Sequence, residues 1–380
     1  MDLNLSEEQR LIVDSAAEFL AEHSSSERIR FVSDQPGGWD DILWQGLAEL
    51  GWCGIHSPEP QGGLGLGVVE LALLQEQLGR RLACVPYFDS VALAATVLRA
   101  LAGQPEVDAA LQALTSGEQR FALAMPDPNM SSAPHSPQAI SQGEGWLLQG
   151  EWSQVGSAPV AQQLLLPALQ ADGQLGLFLV PTGTPGLTIA AQAAVDATRL
   201  HGKLTAQQVA IKAGQLIACG TTLHALLEHT RCVAAIALAA EQVGVAQQAL
   251  DLSLAYTMER QQFEKPIASF QGIKHRCAQI LVTVELARSA VYGAACLADT
   301  GPDSAALKLV AAQAISEATE AALYSTREAI QLHGGVGFTW EYDPHLYFRR
   351  AQASSQRLAP LSWWHEQVAQ QLLDHDESTS

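Results

Sequence analysis

The 380-residue sequence predicts an α+β multidomain fold, with an N-terminal helical domain, a middle β-domain and a C-terminal helical bundle. Three changes of pattern along the chain lead to this prediction. Apolar residues recur at helical spacing to about residue 116, short apolar runs replace them to about residue 222, and long Ala-rich amphipathic stretches follow. The predicted domains are therefore residues 1–116, 117–222 and 223–380.

The N-terminal domain is predicted from three helical stretches. The first, "LSEEQRLIVDSAAEFLAEH", begins with Ser6, a residue preferred at helix N-caps, followed by glutamates and an apolar stripe. The stretches "WDDILWQGLAELGW" and "GVVELALLQEQLGRRLA" also repeat apolar residues at helical spacing. Between them, "HSPEPQGGLGLG" is predicted to be a glycine-rich turn that no helix crosses.

The middle domain is predicted from short apolar runs separated by Gly, Pro and polar residues. These runs are "FALAMP", "GWLLQGEW", "QQLLLPAL", "LGLFLVP" and "GLTIAA". The C-terminal domain then carries three long Ala-rich helices, and the last of them runs into the stretch "QLHGGVGF", which begins at Gln331. Two adjacent glycines there remove the side chains that an amphipathic helix would bury, so we expect a close approach to the backbone.

The composition describes a globular chain with an acidic surface. Hydrophobic residues make up 48 % and charged residues 16 %, which excludes a disordered chain. The 40 acidic side chains outnumber the 21 basic ones, and the resulting net charge of -19 opposes binding to nucleic acid or an anionic membrane. No stretch reaches the roughly 18 unbroken apolar residues of a membrane span.

The sequence lacks targeting and metal-binding motifs, and this predicts a cytoplasmic protein without a metal site. The start "MDLNLSEEQRLIV" lacks the pattern of a secretory signal, and the six cysteines are scattered without CxxC spacing. We therefore expect a cytoplasmic protein with reduced, partly buried thiols. The sequence contains no HExxH motif, P-loop or GxGxxG motif, so we expect no metal site and no Walker-type phosphate site.

Four segments, in this order, resemble the acyl-CoA dehydrogenase family: Leu43–Gly67, Glu76–Pro86, Tyr256–Ile280 and Gln331–Ala351. The resemblance implies an acyl-CoA dehydrogenase-like fold and a dimer or tetramer that holds FAD across a dimer interface. It also implies oxidation of an acyl-CoA thioester to the 2,3-enoyl-CoA, with electron-transfer flavoprotein as the acceptor. In the family, a carboxylate removes the α-proton while the β-hydride passes to the flavin.

The resemblance also implies the residues that contact FAD. By motif, they are Arg260, Gln262, Phe263, Phe270, Gln271, Gln331, Gly334 and Gly335. An arginine binds a pyrophosphate oxygen by a charge-assisted hydrogen bond, phenylalanines pack on rings, and glycines beside a helix end admit a phosphate. The structural alternatives are an exposed helix charge, ordinary core aromatics and a glycine turn that ends a helix. The family usually has glycine where this chain has Glu264.

Two other parts of the sequence depart from the family pattern. A β-domain segment like TEPxxGSD, which contacts flavin and substrate, corresponds here to "AMPDPNMSSAP" (Ala124–Pro134). A Trp followed two residues later by Thr or Ser corresponds to Trp152 and Gln154. The half of the flavin site that a subunit builds for itself is therefore predicted to be eroded, whereas the half that it lends to a neighbour is kept.

The usual base glutamate of the family corresponds to Leu358, which cannot accept a proton. An alternative base position on the first helix of the last domain falls near Ala234 and Ala235. Glu241 lies about two turns further along the same face and is the candidate base, and the alternative role is a helix-packing carboxylate. His345, after Pro344, is expected to lie in an exposed turn.

Three hypotheses follow from these observations. The first is a subunit of a heteromeric acyl-CoA dehydrogenase whose partner supplies the isoalloxazine site and the base, as in some bacterial members that act on steroid side chains. The second is a self-sufficient homo-oligomeric dehydrogenase with Glu241 as an unusual base. The third is a non-catalytic paralogue that binds acyl-CoA or a partner. Only the first accounts for both the eroded and the kept segments.

Overall fold

The computed structural model describes residues 5–35, 37–127 and 136–373. Its elements confirm the predicted fold class, because helices come first, a β-sheet follows and long helices end the chain. The α-helices are α1 (Glu7–His23), α2 (Ser26–Ser33), α3 (Asp41–Glu49), α4 (Val68–Arg80), α5 (Thr96–Ala100), α6 (Pro105–Thr115), α7 (Gly220–Glu259), α8 (Gln271–Asp299), α9 (Ser304–His333), α10 (Pro344–Ser354) and α11 (Leu361–Leu373). A π-helical segment, Phe88–Ala95, leads directly into α5.

The chain forms two compact units. The bundle unit contains Met1–Arg30, Val68–Ala83 and Ala235–Ser380, and the sheet unit contains Phe31–Gly67 and Cys84–Ala234. The predicted N-terminal domain is thus divided between the two units, because α1 and α4 pack with the C-terminal helices. The predicted boundary near residue 222 lies close to the start of α7.

The sheet unit is built on eight strands. They are β1 (Phe121–Leu123), β2 (Gln138–Gln142), β3 (Gly145–Gly156), β4 (Gln163–Gln170), β5 (Leu175–Pro181), β6 (Leu187–Gln192), β7 (His201–Lys212) and β8 (Leu216–Cys219). Their order is β6-β7-β3-β2-β4-β5-β8, and β1 pairs with β4. The β1–β4 and β2–β4 pairs are parallel and the other pairs are antiparallel. Leu148, Leu164, Phe178 and Leu204 are among the residues of the buried sheet core.

In the bundle unit, two glycines bring α4 and α7 into close contact. A Cβ atom on Gly79 would lie 2.1 Å from the backbone oxygen of Glu241, and one on Gly244 would lie 2.0 Å from the backbone oxygen of Glu76. Real Cβ atoms do not approach other atoms so closely, so only glycine permits this crossing. The small residues at this crossing therefore allow α4 and α7 to pack closely.

A buried polar network also joins α4, α7 and α8. Arg288 donates from Nε to Glu76 Oε1 at 3.1 Å and from Nη2 to Gln247 Oε1 at 2.8 Å. The hydroxyl of Tyr292 donates to Glu76 Oε2 at 2.8 Å. Burial, followed by the charge of Glu76, raises the pKa of Tyr292, so that hydroxyl stays protonated. The Glu76 side chain is 5 % exposed, and these donors compensate its burial.

Among the described residues, α7 and α8 are long and apolar enough, by length and composition alone, to cross a membrane. The apolar window of α7 is mostly buried in the chain, as expected of a core helix. The apolar window of α8 is mostly exposed and includes Leu281, Val282 and Leu286. The α8 helix therefore presents an apolar face on the surface of the isolated chain.

Candidate functional site

All eight predicted FAD contacts lie in the bundle unit, in three short segments. The first segment is a hairpin after α7, in which β9 (Gln261–Gln262) pairs with β10 (Lys265–Pro266). The second is the start of α8 at Gln271, and the third is the turn at the end of α9. The helix α7 ends at Glu259, so Arg260 is the first residue after it.

The hairpin turns at Phe263 and Glu264, which both have positive φ angles, 54° and 62°. Positive φ at both central residues is typical of a type I′ turn, which strongly prefers glycine or asparagine. A left-handed backbone costs other residues about 1–2 kcal/mol each. The backbone around the turn is held where Ile267 N donates to Arg260 O at 2.8 Å, and the side chain of Phe263 is 85 % exposed.

The start of α8 combines a helix N-terminus with exposed basic residues. Phe270 occupies the N-cap position without a capping side chain, and the first turn contains no acidic residue. The Phe270 ring lies 6.1 Å from the Phe263 ring, and Lys265 Nζ lies 4.5 Å from the Phe270 ring centre. The positive end of a long helix dipole therefore adds to the charges of Arg260 and Lys265. This combination suits an anion.

Arg260 is exposed at the start of the hairpin, and its backbone N donates to Tyr256 O at 2.9 Å. Among the residues that the structure describes, no side chain forms an ion pair or hydrogen bond with its guanidinium. Gln262, Gln271 and Gln331 are exposed as well. The predicted polar contacts are therefore all accessible to a ligand outside the chain.

The three glycines after α9 differ in what requires glycine at each position. Gly334 has φ 63° and ψ -141°, a backbone that is accessible essentially only to glycine. A Cβ atom on Gly337 would lie 2.8 Å from Ile330 O, so packing within the chain requires glycine there. Gly335 has an ordinary φ, and a Cβ atom there would meet nothing within 4 Å. Neither backbone conformation nor packing against the described residues explains a glycine at position 335.

Stacked rings bring the ends of α7 and α9 together. The Tyr256 and His333 rings stack at 4.3 Å, and Tyr342 meets both rings edge-on at about 6 Å. His333 is buried, its Nδ1 lies 2.7 Å from Ala329 O, and burial lowers the pKa of its imidazole. His333 therefore belongs to the packing between these helices, while the hairpin and the glycine turn lie at one end of the bundle.

Glu241 is buried on α7 and its Oε1 lies 3.4 Å from Nη1 of Arg350 on α10. Arg350 is itself among the largest fully buried side chains of the chain. The close crossing at Gly79 covers the backbone of the same turn. This geometry favours the alternative role considered for Glu241, a helix-packing carboxylate, over the role of a base.

The other base positions cannot accept a proton. Leu358 is buried between α10 and α11, and Ala234 and Ala235 are fully buried. His345 was expected to be exposed, and this expectation was wrong. Pro344 occupies the first position of α10, so His345 lies in a helix, and only 5 % of it is exposed.

In the sheet unit, the two departures from the family pattern have different outcomes. Trp152 is buried, and its Nε1 donates to Pro167 O at 2.8 Å, which assigns the indole to the sheet core. Gln154 lies on a bulge of β3 with φ 55°, and its backbone N donates to Gln192 Oε1. Most of the segment predicted at Ala124–Pro134 falls outside the described residues, since these stop at 127 and resume at 136.

Two features of the bundle unit were not predicted from the sequence. The left-handed turn at Phe263 and Glu264 was not anticipated, although glycine in the corresponding family position was a signal for it. The partner of Glu241, Arg350, lies 109 positions away and carried no local signal.

Among the described residues, no group of three or more His, Cys, Asp or Glu side chains forms a metal site.

Known proteins resemble this chain over nearly its whole length. Residues 6–118 match the acyl-CoA dehydrogenase N-terminal domain family and residues 222–356 match the acyl-CoA dehydrogenase C-terminal domain family. The probable acyl-CoA dehydrogenase YngJ of Bacillus subtilis (strain 168) is 32 % identical over 367 residues, which cover 93 % of this chain and 94 % of that protein.

Solved structures agree with the sequence matches. A variant of the Tcur3481-Tcur3483 steroid ACAD has a TM-score of 0.86 and 31 % identity, and the match covers 98 % of this chain and 99 % of that chain. The ChsE4-ChsE5 complex from Mycobacterium tuberculosis has a TM-score of 0.88 and 29 % identity, with the same coverage of 98 % and 99 %.

Proposed function

Because this chain belongs to the acyl-CoA dehydrogenase family of FAD-dependent oxidoreductases, we propose that it is one subunit of a heteromeric enzyme that converts an acyl-CoA thioester to the 2,3-enoyl-CoA. FAD, when bound, accepts the hydride that leaves the β-carbon. In this proposal, the chain supplies the hairpin, the start of α8 and the glycine turn to a flavin held mainly by a related partner subunit.

Gly335 is the observation that carries this proposal. Its backbone conformation is ordinary, and among the described residues no atom lies within 4 Å of a Cβ added there. A ligand that approaches the backbone from outside the chain accounts for the missing side chain. The neighbouring Gln331 is exposed on the last turn of α9 and can donate to the same ligand.

The donors at this end of the bundle fit the diphosphate of FAD. Arg260 is exposed and has no side-chain partner among the described residues, and the uncapped N-terminus of α8 follows eleven positions later in the chain. Guanidinium groups and helix N-termini both stabilise phosphate oxygens. The exposed Phe263 and the half-buried Phe270 offer ring surface for the cofactor.

The absence of a free carboxylate at the base positions supports the heteromeric form. Removal of the α-proton of a thioester requires a base within hydrogen-bond reach. Leu358 cannot take a proton, and Glu241 is buried beside Arg350. In our proposal, the partner subunit therefore supplies the base as well as the isoalloxazine site.

Two relatives support the choice of partner. The ChsE4-ChsE5 structure is a complex of two named chains, and the Tcur3481-Tcur3483 protein is described as a steroid ACAD. By analogy with them, we propose that this chain associates with a related acyl-CoA dehydrogenase subunit in the cytoplasm. Electron-transfer flavoprotein is the proposed electron acceptor. Activity assays should test both linear and steroid acyl-CoA thioesters as substrates.

Flavin content tests this function most directly. We expect a flavin absorbance band when the chain is purified with a related subunit encoded next to it, and none when it is purified alone. Arg260→Ala and Gly335→Val should lower the flavin content of the complex and leave the far-UV circular dichroism unchanged. Arg10→Ala and Gly183→Val are matched controls, since Arg10 is exposed on α1 and an added Cβ on Gly183 meets nothing within 4 Å.

The outcomes separate the hypotheses. Unchanged flavin stoichiometry in both site variants would contradict the assignment of these residues to the cofactor. Turnover of an acyl-CoA by the isolated chain would select the homo-oligomeric enzyme. A complex that forms without flavin and without turnover would select the non-catalytic paralogue.

A further inference from the structure

We propose that Glu264 makes cofactor binding by this chain depend on a partner subunit. Its carboxylate opposes the binding of a diphosphate at the hairpin until a basic side chain of the partner neutralises it. This inference rests on the proposed function, because it concerns the same hairpin, and it assigns to Glu264 a role in specificity rather than in cofactor contact.

The backbone of the hairpin is the first observation. Glu264 has a φ of 62° at the second central position of a two-residue turn, where glycine is free of strain. The preceding Phe263 also has a positive φ, so both central residues of the turn adopt a backbone conformation that favours glycine. A strained non-glycine residue persists where its side chain is needed, and strain of this kind concentrates at functional segments.

The charge of Glu264 is the second observation. Its side chain is exposed, and among the described residues it forms no ion pair or hydrogen bond. The nearest cations in sequence are Arg260, which is equally unpaired, and Lys265, whose ammonium lies over the Phe270 ring. The carboxylate is therefore not neutralised, and it cancels part of the positive field that would attract a diphosphate.

The exposure of the hairpin favours a basic partner group. Residues 261–266 are all exposed, and Phe263, at 85 %, is the most exposed of the large hydrophobic side chains in the described chain. An aromatic side chain as exposed as Phe263 is typical of a surface that another chain covers, and the unpaired carboxylate of Glu264 beside it would need a cation from that chain. Because this chain carries a net charge of -19, a copy of itself is a poor source of the missing cation, and a more basic related subunit is the fitting partner.

The test measures the binding of FAD and of ADP to the isolated chain by titration calorimetry. Glu264→Gln removes the charge and keeps a non-glycine side chain in the turn, whereas Glu264→Gly removes both the charge and the strain. We expect both variants to bind either ligand roughly five- to tenfold more tightly than the wild type at low ionic strength. This difference should shrink when the salt is raised to about 0.3 M, because salt screens exposed charges. Glu8→Gln, at an exposed position on α1, controls for net charge.

The same substitution in the co-purified complex completes the test. There, Glu264→Gln should leave the FAD affinity unchanged or lower it, because the partner's cation has lost its counter-charge. Equal tightening in the isolated chain and in the complex would overturn the partner dependence. Affinity that is unchanged in Glu264→Gln, improved only in Glu264→Gly, or undetectable in every variant would overturn the role of the charge. A complex that never contains flavin would instead contradict the proposed function itself.

Discussion

Substitution of Glu241 distinguishes a carboxylate that holds the bundle together from one that takes a proton. The exposed fractions of the Glu241 and Arg350 side chains are 4 % and 2 %, and the atoms Oε1 and Nη1 are 3.4 Å apart. At that distance, the Coulomb attraction is roughly 5 kcal/mol for an effective dielectric constant of about 20. Much of this attraction offsets the cost of taking both charges out of water.

Removal of one partner exposes that cost. We expect Glu241→Leu to lower the free energy of unfolding by about 3–5 kcal/mol, because Arg350 then stays buried without its carboxylate. Glu241→Gln keeps an acceptor and should cost about 1–3 kcal/mol. The double variant Glu241→Leu/Arg350→Met should recover most of the loss, since apolar replacement of a whole buried pair is often neutral. Urea unfolding followed by circular dichroism measures all four proteins.

The opposite result would identify a base. If Glu241→Gln keeps the wild-type unfolding midpoint but lowers kcat by roughly 10²–10⁴-fold in flavin-containing protein, Glu241 removes the proton and the packing explanation is refuted. A double variant that is less stable than Glu241→Leu alone would also refute the pairwise account, because the two substitutions would then not share one interaction.

Three further predictions concern stability. Gly79→Ala and Gly244→Ala should each destabilise the chain by about 1–3 kcal/mol or more, because the added Cβ would separate α4 from α7. Gly293→Ala, where an added Cβ meets nothing within 4 Å among the described residues, should instead stabilise α8 by up to about 1 kcal/mol, and thermal unfolding measures both effects. Glu264→Gly should stabilise the chain by about 1 kcal/mol, and a lower melting temperature would contradict the strain. Burial lowers the pKa of His56 from 6.5 to about 3, so below about pH 6.5 the unfolded chain takes up a proton that the folded chain does not. Stability should then fall by about 1.4 kcal/mol between about pH 7.5 and 5.5, and urea unfolding of His56→Leu should show a smaller fall.

The order of the secondary structure was predictable because the apolar period changes along the chain. The helices α8 and α9 bury continuous stripes, and such stripes are visible in a single sequence. The strand β7 was missed, because a bulge at Gln208, with φ 55°, interrupts its alternation opposite β3. The helix α10 was missed because Pro344 was interpreted as a turn, although proline is well suited to the first position of a helix.

The candidate site was predictable only as far as local motifs reach. The resemblance selected the segments that form the hairpin, the start of α8 and the glycine turn, and the predicted polar contacts in them are exposed. The partner of Glu241 could not be predicted, because helix packing brings Arg350 to it from a distant part of the chain. The left-handed backbone at Glu264 could not be predicted either, since the pairing of β9 with β10 and the bond from Ile267 N to Arg260 O, rather than residue preference, hold that turn.

The three glycines at the end of α9 have a consequence for selection experiments. In a library screened only for folded, soluble chain, position 334 should stay glycine because of its backbone, and position 337 because of the Ile330 carbonyl. Position 335 should accept almost any residue under that screen. A second screen, for growth that requires the enzyme, would restrict position 335 alone. The difference between the two screens would therefore separate what the chain needs to fold from what its ligand demands, without any knowledge of the substrate.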